Sequence, residues 1–398
     1  MKNLLMATTA ITMMSGAAFA AGHAEEVKIG VILGFTGPLE SITPAMGAGA
    51  ELAMAEVTAS GALLGGSTVT SVRADSTCID AGAATTAAER LVTADNVNAI
   101  MGADCSGVTG AILANVALAN GVVMISPSAT SPGLSTAEDN GLFFRTAPSD
   151  ARQGVIMTEI LSDRGVKSVA LTYTNNDYGK GLADAFQAAY EADGGTVTIS
   201  AAHEDGKADY SAEVGALASA GGEILVVAGY VDQGGSGIIR AALDTGAFDT
   251  FYVPDGMVGV KLNENFGAEM NGSYGAYPGT DNAGSGMFVE LAAAAGFDGT
   301  GAFSPESYDA AALIMLAMQA AGSSASADFK DQVMNVANAP GELIMPGELA
   351  KGLEILAAGG EIDYVGASAV ELIGPGESAG NYQEVEFADG VYSTIGYR

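Results

Sequence analysis

Basic residues are scarce in this chain of 398 residues. Fifteen Lys and Arg stand against 47 Asp and Glu, which gives a formal net charge of -32 at pH 7. Nucleic-acid phosphates and anionic membrane surfaces both attract Lys and Arg, so we expect neither as a partner. We interpret the excess acid as a solvated shell suited to a salty exterior. The alternative, cation binding, would need clustered acids, and these are scattered.

Catalytic sequence patterns are missing too. Histidine is the usual general base at neutral pH, and the chain has only His23 and His203, which we expect to be ordinary surface residues. The sequence contains no H-E-x-x-H, G-x-G-x-x-G or G-K-[ST] motif, and its G-x-S-x-G match at 376–380 does not join a predicted strand to a predicted helix, as a nucleophile elbow does. Asp281, Asn282 and Asp298 lie in Gly-rich loops that could hold Ca²⁺, but without calcium-loop spacing turn chemistry is the better interpretation. We therefore expect no enzyme activity, no metal and no cofactor.

The first twenty residues have the layout of a secretory signal peptide. Lys2 gives a positive start, residues 4–14 are apolar, and Ala18-Phe19-Ala20 is a small-residue cleavage pattern. The segment is too short and too Thr-rich to span a membrane. We predict a cleaved leader over residues 1–20 and a periplasmic protein; a retained N-terminal anchor is the alternative.

Cysteine occurs only twice, as Cys78 and Cys105. In an oxidising compartment an isolated pair is a candidate disulfide, although two unpaired thiols are the alternative. Two cysteines are too few for a disulfide scaffold, so a large hydrophobic core must stabilise the fold.

Short apolar runs alternate with amphipathic helical stretches, and the alternation occurs twice. This pattern predicts two βαβ series, each forming a parallel sheet covered on both faces. Thr43 is the expected N-cap of the first helix, with Pro44 at its first helical position. The predicted strands of the two series are 27–33, 67–73, 98–101 and 122–125, followed by 168–173, 196–201, 224–228 and 250–253. Four helices (286–295, 305–321, 327–337 and 348–358) and a strand-rich tail complete the chain.

Ligands of open α/β sheets bind outside the carboxyl ends of the strands. In the first series these ends carry 34–39, 102–107 and 126–130, which are rich in Gly and hydroxyl residues. Hydroxyls with free backbone N–H groups at a helix N-terminus suit a carboxylate. Ser106 is the best candidate, although it could equally be a simple N-cap.

The strand ends of the second series carry two tyrosines and an acid. Tyr178 follows the first strand, Tyr230 the third and Asp255 the fourth. An acid that faces Ser106 across a cleft would suit a ligand with both an ammonium and a carboxylate group. The alternative for Asp255 is a turn residue, because Pro-Asp-Gly is a strong turn sequence.

From about Val27 to its C-terminus, the chain resembles the substrate-binding proteins of branched-chain amino acid ABC uptake systems, the leucine/isoleucine/valine-binding-like type I periplasmic binding proteins. The resemblance rests on the order and spacing of motifs along the whole chain. These are KIGVILGFTGP (28–38), Cys78 with Cys105-Ser106, ISPSATSPGLS (125–135), FRTAPSDARQG (144–154), NNDYGKGLADAF (175–186), SYDAAALI (307–314) and IDYVGASA (362–369).

The resemblance implies two doubly wound parallel-sheet lobes joined by a three-stranded hinge. The first lobe would comprise 26–146 and 277–358, and the second lobe 147–276 and 359–398, with crossings near Thr146, Ala276 and Ala358. It also implies a disulfide between Cys78 and Cys105 in the first lobe.

The family's binding residues map onto this sequence one by one. The ligand carboxylate would contact Ser106, Thr130 and the backbone of Cys105 and Ser128, with Ala129 between them. Asp255, where close relatives carry Glu, would pair with the ammonium. Tyr178 and Tyr230 match the aromatics that close over the ligand, Phe303 is a weaker match to an apolar wall, and Tyr308 is weaker still. No aromatic residue lies near Ser41, where relatives often have one.

We therefore expect a monomeric periplasmic receptor that captures a small amino acid, or a related amide or acid, by hinge closure. The resemblance implies an inner-membrane ABC permease as its partner. The alternatives are a ligand sensor on the same fold that signals to a membrane receptor, and an exported α/β hydrolase.

Overall fold

The structure, a computed structural model, describes residues 26–398. The predicted leader and His23 lie outside the described residues. The strands are β1 (Glu26–Leu33), β2 (Thr68–Asp75), β3 (Ala99–Gly102), β4 (Met124–Ser126), β5 (Phe143–Pro148), β6 (Ser168–Thr174), β7 (Thr196–His203), β8 (Ile224–Ala228), β9 (Phe251–Val253), β10 (Tyr274–Pro278), β11 (Glu342–Ile344), β12 (Ile362–Tyr364), β13 (Leu372–Ile373), β14 (Glu377–Ser378), β15 (Tyr382–Ala388) and β16 (Val391–Tyr397).

Helices connect most of these strands and cover both faces of the sheets. They are α1 (Thr43–Ser60), α2 (Ala81–Thr93), α3 (Ser106–Ile112), α4 (Leu118–Asn120), α5 (Asp150–Asp163), α6 (Asp177–Ala192), α7 (Ser211–Ala220), α8 (Gly234–Thr245), α9 (Val260–Phe266), α10 (Ala283–Ala295), α11 (Ser304–Ala321), α12 (Ser326–Phe329), α13 (Val333–Ala337) and α14 (Leu349–Ala357). A π-helical segment, Leu113–Ala117, joins α3 to α4.

Two seven-stranded sheets define two lobes. The strand order is β13-β14-β5-β4-β3-β1-β2 in the first lobe and β16-β15-β10-β9-β8-β6-β7 in the second. Strands β1 to β5 pair in parallel, as do β6 to β10, whereas β15 and β16 are antiparallel additions. The predicted fold class, two doubly wound α/β lobes, is confirmed.

The chain passes between the lobes three times. It leaves the first sheet after β5, which ends at Pro148, and returns after β10, which ends at Pro278. The third crossing predicted near Ala358 is wrong, because β13 and β14 still belong to the first sheet. The chain enters the second sheet for good at Tyr382, the first residue of β15. Residues 362–378 therefore belong with the first lobe.

Apolar strands and one central helix build the cores. Every residue of β3 and β8 is buried, as expected for strands covered on both faces. In the first lobe α11 packs along α1, and 15 of its 18 residues are buried. The two helices can approach closely because Gly49 of α1 has no side chain. A Cβ at this position would lie 2.6 Å from the Ser304 carbonyl oxygen. A larger residue there would push the helices apart.

Among residues 26–398 we find no single helix that is both long and apolar enough to cross a membrane. One bent pair, Ser304–Ala321 with Ser326–Ala337, meets that test only when its two parts, which turn by 87°, are taken together.

Two local predictions are corrected. Thr43 does not cap α1: the helix begins at Thr43 itself, and the Thr43 hydroxyl donates to the Gly34 carbonyl oxygen at 2.9 Å. His203 is not a surface residue, since it is buried at the end of β7 with its Nδ1 2.9 Å from the Thr172 hydroxyl. Burial lowers the pKa of His203 to about 4.

Cys78 and Cys105 form the predicted disulfide, with their Cα atoms 5.1 Å apart. The bond ties the loop after β2 to the start of α3. Asp104, between the loops, accepts hydrogen bonds from the Gly34 amide at 2.9 Å and the Ser76 hydroxyl at 2.8 Å. The disulfide therefore fixes the loops at the carboxyl ends of β1, β2 and β3.

Reducing the disulfide should lower the free energy of unfolding. The two cysteines are 27 positions apart, and closing a loop of that length restricts the unfolded chain by about 3 kcal/mol. Denaturant titrations with and without a reductant measure the difference. A thiol assay on the denatured, unreduced protein is the control: two reactive thiols there would show that no disulfide forms.

Candidate functional site

The candidate site lies between the lobes, at the carboxyl ends of both sheets. In the first sheet the strand order reverses between β1 and β3, and in the second between β6 and β8. A crevice opens at such a switch point, and the loops that follow the strands line it. Eight of the predicted binding residues lie in or directly after these loops, and Phe303 immediately precedes α11. All nine are buried, namely Cys105, Ser106, Ser128, Ala129, Thr130, Tyr178, Tyr230, Asp255 and Phe303.

On the first-lobe side, Ser106 is the first residue of α3, and Cys105 occupies the N-cap position without a side-chain cap bond. The Ser106 hydroxyl accepts a hydrogen bond from the Ser131 amide at 3.0 Å. Ser106 is therefore not the N-cap that the sequence left as an alternative. Its hydroxyl hydrogen remains available to donate, because a serine hydroxyl both donates and accepts.

The loop after β4 is ordered by Ser126. Its hydroxyl donates to the Ala103 carbonyl oxygen at 2.5 Å and accepts from the amides of Ser128 and Ala129 at 3.3 and 2.9 Å. The Ser128 hydroxyl in turn donates to the Asp104 carbonyl oxygen at 3.0 Å. The Ser128 and Ala129 amides are thus already engaged, so Thr130 is the stronger candidate ligand contact in this loop.

Thr130 carries a polar atom that its surroundings do not satisfy. Its hydroxyl is buried and has no hydrogen-bond partner of standard geometry among residues 26–398. It lies beside the Asp150 carboxylate, since it moderates the rise in the pKa of Asp150. Buried polar groups in proteins are nearly always hydrogen-bonded, so an unpaired one in a cleft marks a position that a ligand can satisfy.

On the second-lobe side, two stacked tyrosines lie over an acid. The rings of Tyr178 and Tyr230 have centroids 5.2 Å apart and are inclined by 19°. The Tyr178 hydroxyl donates to Asp255 Oδ1 at 2.6 Å, and the Asn176 amide donates to the Tyr230 hydroxyl at 3.4 Å. Asn176 also caps α6, which fixes Tyr178 in the first turn of that helix.

Asp255 is a buried acid without an ion-pair partner among the described residues. It begins the short 3₁₀ turn that follows β9. Burial raises its pKa, and the hydrogen bond from Tyr178 is the largest opposing effect. Burying a carboxylate is costly unless a cation or several donors compensate it. A role in the turn accounts for the backbone conformation at Asp255. It does not offset the cost of removing the carboxylate from water, which a nearby cation would offset.

The lobes touch along both rims of the cleft. Asp232 of the second lobe accepts a hydrogen bond from the Ser41 amide at 2.8 Å, and its own amide donates to the Pro38 carbonyl oxygen at 3.2 Å. A Cβ on Gly181 would lie 2.8 Å from Pro132 of the first lobe. The structure therefore represents a closed arrangement, in which the candidate binding residues are shielded from water.

The two aromatic residues predicted near the start of α11 differ in position. Phe303 has a positive φ of 61° and lines a cavity of about 390 Å³ together with Tyr277 and Glu306, but none of the other predicted binding residues lines that cavity. Tyr308 lies away from the cleft, where its hydroxyl contacts Glu56 and its ring lies against Phe288. Tyr308 is a core residue of the first lobe.

Sequence reasoning missed three residues of this region: Asp150, Gln153 and Tyr382. Asp150 begins α5 immediately after β5, and its amide donates to the Thr130 carbonyl oxygen at 2.8 Å. Gln153 lies one turn later, and Tyr382 enters from β15 with a buried hydroxyl that has no partner among the described residues. The signal was present, because Asp150 follows the carboxyl end of a strand, but β5 itself was not predicted.

Within residues 26–398, the closest group of metal-type ligands is Cys78, Asp104 and Cys105. The two sulfurs are bonded to each other and the carboxylate is used by Gly34 and Ser76. These residues therefore offer no thiolate to a metal.

The chain belongs to the periplasmic binding protein family, whose sequence model matches residues 26–349. Among curated relatives, it is 34% identical over 232 residues to the Leu/Ile/Val-binding protein homolog 3 of Brucella melitensis, a match that covers 56% of this chain and 62% of the relative. It is 29% identical over 254 residues to the Leu/Ile/Val-binding protein BraC3 of Rhizobium johnstonii, covering 64% and 68%. The chain thus matches about two thirds of the length of these relatives.

Solved structures show the same fold. A leucine binding protein, LivK, from Thermotoga maritima superposes with a TM-score of 0.78 at 22% identity, covering 93% of this chain and 98% of that one. A solute binding protein of an ABC transporter from R. palustris, in complex with benzoate, superposes with a TM-score of 0.74 at 19% identity, covering 94% and 96%.

Replacing Thr130 with Val should separate binding from folding. The hydroxyl has no hydrogen-bond partner of standard geometry among residues 26–398, so an apolar group of the same shape should change the free energy of unfolding little. Losing a hydrogen bond to a charged ligand group should cost about 1.5 to 3 kcal/mol of affinity for a carboxylate-bearing solute. Denaturant titration and calorimetry measure the two effects.

Thr109→Val is the matched control. The Thr109 hydroxyl is also buried and without a partner among the described residues, but it lies in the interior of α3. The Thr109→Val variant should bind the ligand with the same affinity as the parent protein. Equal affinity for both variants and the parent protein would contradict a role of Thr130 in ligand binding.

Proposed function

We propose that this protein is the solute receptor of an ABC uptake system, that it works outside the cytoplasm, and that it performs no chemistry on what it binds. The observation that carries this proposal is a closed cleft whose two ends differ in charge and hydrogen-bonding character. Hydroxyl groups beside the first turn of α3 form one end, and the buried acid Asp255 with two stacked tyrosines forms the other.

A small zwitterion fits these ends. A carboxylate would lie against Ser106 and Thr130, where a hydroxyl and a helix N-terminus supply hydrogen-bond donors and a favourable dipole. An ammonium group would offset the buried charge of Asp255 and so remove its desolvation penalty. The names of the relatives from Brucella melitensis and Rhizobium johnstonii support an amino acid with an apolar side chain.

Binding and closure are coupled in this proposal, because the two charged ends of the ligand contact different lobes. The contacts of Asp232 and Gly181 form only when the lobes meet. The ligand contacts both lobes only in the closed arrangement. It therefore binds that arrangement more tightly than the open one, and this difference in binding free energy favours closure. A membrane permease would then recognise the closed form.

The two alternative functions considered from the sequence, a hydrolase and a ligand sensor, receive little support from the site. A hydrolase would need a base, but His203 is buried against Thr172, and burial lowers its pKa to about 4. A sensor would bind its ligand in the same way: BasB of Halobacterium salinarum, 28% identical over 289 residues, is named as the substrate-binding protein of a chemotactic signal transduction system. Ligand capture is common to both roles.

The direct test is to identify what the protein carries. Small molecules released by denaturing the purified protein should be identified by mass spectrometry, and calorimetry should then compare L-leucine, L-isoleucine, L-valine and benzoate. We expect one-to-one binding of an amino acid that is recovered unchanged. Recovery of a chemically altered ligand would refute the proposal, and tight binding of benzoate alone would refute the zwitterion.

Replacing Asp255 with Asn tests the polarity of the site. Asn keeps the acceptor for the Tyr178 hydroxyl and suits the same turn, but it removes the charge that the ammonium requires. We expect affinity for the bound amino acid to fall by about 30- to 5000-fold, equivalent to about 2 to 5 kcal/mol, with little change in stability.

Asp249→Asn is the control for this substitution. Asp249 is exposed and precedes the same strand, β9, that Asp255 follows. The Asp249→Asn variant should bind the amino acid with the same affinity as the parent protein. If Asp255→Asn melts early but its folded fraction binds normally, Asp255 is a structural turn residue.

A further inference from the structure

Asp255 is not the only acid buried in the cleft. Asp150, the first residue of α5, is also fully buried, and the Gln153 side chain contacts both the Asp150 carboxyl group and the backbone amide of Asp255. With its amide oriented to satisfy both neighbours, the Gln153 nitrogen donates to Asp150 Oδ1 at 3.1 Å and its oxygen accepts from the Asp255 amide at 3.3 Å. Two buried acids therefore share one small region.

No basic side chain pairs with Asp150 in the part of the chain that the structure describes. Arg145 is the nearby buried cation, but its guanidinium is engaged elsewhere. One nitrogen donates to the carbonyl oxygens of Ala129 and Ser131, both at 2.9 Å, and another donates to Ser135 and Glu377. Arg152, on the same helix as Asp150, is exposed. The two buried acids therefore lie in one region, and neither has an ion-pair partner among the described residues.

Ionising both buried carboxyl groups at once costs free energy, because the two negative charges lie close together and away from water. Burial raises the pKa of Asp150 well above its ordinary range, and the charge of Asp255 raises it further. Asp255 is the better stabilised anion because it accepts a 2.6 Å hydrogen bond from the Tyr178 hydroxyl. The proton of the pair therefore resides on Asp150 when the cleft holds no cation.

Unpartnered polar atoms surround Asp150. Its own Oδ2, the Thr130 hydroxyl and the Tyr382 hydroxyl are all buried and have no hydrogen-bond partner among residues 26–398. Asp150 is also the charged group that most raises the pKa of Tyr382, after burial. The Thr130 hydroxyl lies close enough to the Asp150 carboxyl group to lower its pKa, so these polar groups form one cluster that a ligand could complete.

We propose that Asp150 is a second recognition residue of the cleft, which holds a proton in the ligand-free pair and loses it to solvent when a ligand ammonium group enters between Asp150 and Asp255. One proton leaves for each cation that binds, so the net charge of the site is conserved. This inference rests on the proposed function, because it requires an ammonium-bearing ligand.

The consequence is a pH-dependent affinity. Below the pH at which Asp150 ionises in the free protein, binding must displace its proton, so affinity should rise up to tenfold for each pH unit. Above that pH the proton is already gone and affinity should become constant. An ordinary site with one permanently ionised acid would show constant affinity throughout this range.

The experiment is calorimetry of L-leucine, L-isoleucine and L-valine between pH 5.5 and 8.5, in pairs of buffers with different ionisation enthalpies. We expect close to one proton to be released at the acidic end, together with the rising affinity. Asp150→Asn should release no proton and show constant affinity, equal to the parent protein at low pH and about tenfold or more weaker at high pH.

Glu306→Gln is the matched control, because Glu306 is another buried acid with an unpartnered oxygen, and burial raises its pKa to about 8. This variant should keep the proton release. Loss of the release in Glu306→Gln, or constant affinity and no release in the parent protein, would overturn the proposal. The parent and Glu306→Gln measurements decide the matter even if Asp150→Asn folds poorly.

Failure of the proposed function has a different signature. If none of the three amino acids binds, the assignment of the ligand class fails, and the protonation of Asp150 is then read directly. Carbon-13 NMR titration of labelled aspartates in the ligand-free protein, with Asp150→Asn for assignment, should show a carboxyl group whose pKa lies well above the ordinary range. A carboxyl that titrates in the ordinary range would overturn the inference independently of any ligand.

Discussion

The uncompensated charge of Asp255 is the constraint on which the rest of this cleft depends. A carboxylate that is removed from water must find a cation or donors, and the donors here are supplied chiefly by Tyr178. Tyr178 is held by its stacking on Tyr230 and by the Asn176 cap of α6. The second-lobe face is thus organised around one acid, and in the proposed function a cationic group of the ligand completes it.

Closure gives this arrangement its selectivity. The first-lobe loops end in hydroxyls near the start of α3, and the disulfide and Asp104 hold these loops in place. The second lobe brings its acid to them only when Asp232 and Ser41 meet at the rim. A solute that satisfies only one face leaves buried polar groups unpaired on the other, so affinity and closure both depend on its two ends.

The sequence predicted the elements whose signals are local. Strand β8 is a short run of Val, Ile, Leu and Ala between turns, and Asp80, a favoured N-cap residue type, caps α2. Strands β5 and β10 were missed because each contains Pro, and β5 also carries Arg145, whose burial depends on Glu377, 232 positions away. The cleft loops could be predicted because they follow strands, and Asp150 was missed together with its strand.

Asp150 bears on which solutes the cleft can distinguish. An amino acid brings an ammonium group that offsets both acids at once. A solute with a carboxylate and no ammonium, such as the benzoate bound by the R. palustris protein, would leave Asp255 uncompensated and Asp150 protonated. It would also place a further negative group close to Asp255, an unfavourable like-charge contact in a dry site. A simple acid therefore lacks the cation that both acids would contact, and in the proposed function this difference favours amino acids over simple acids.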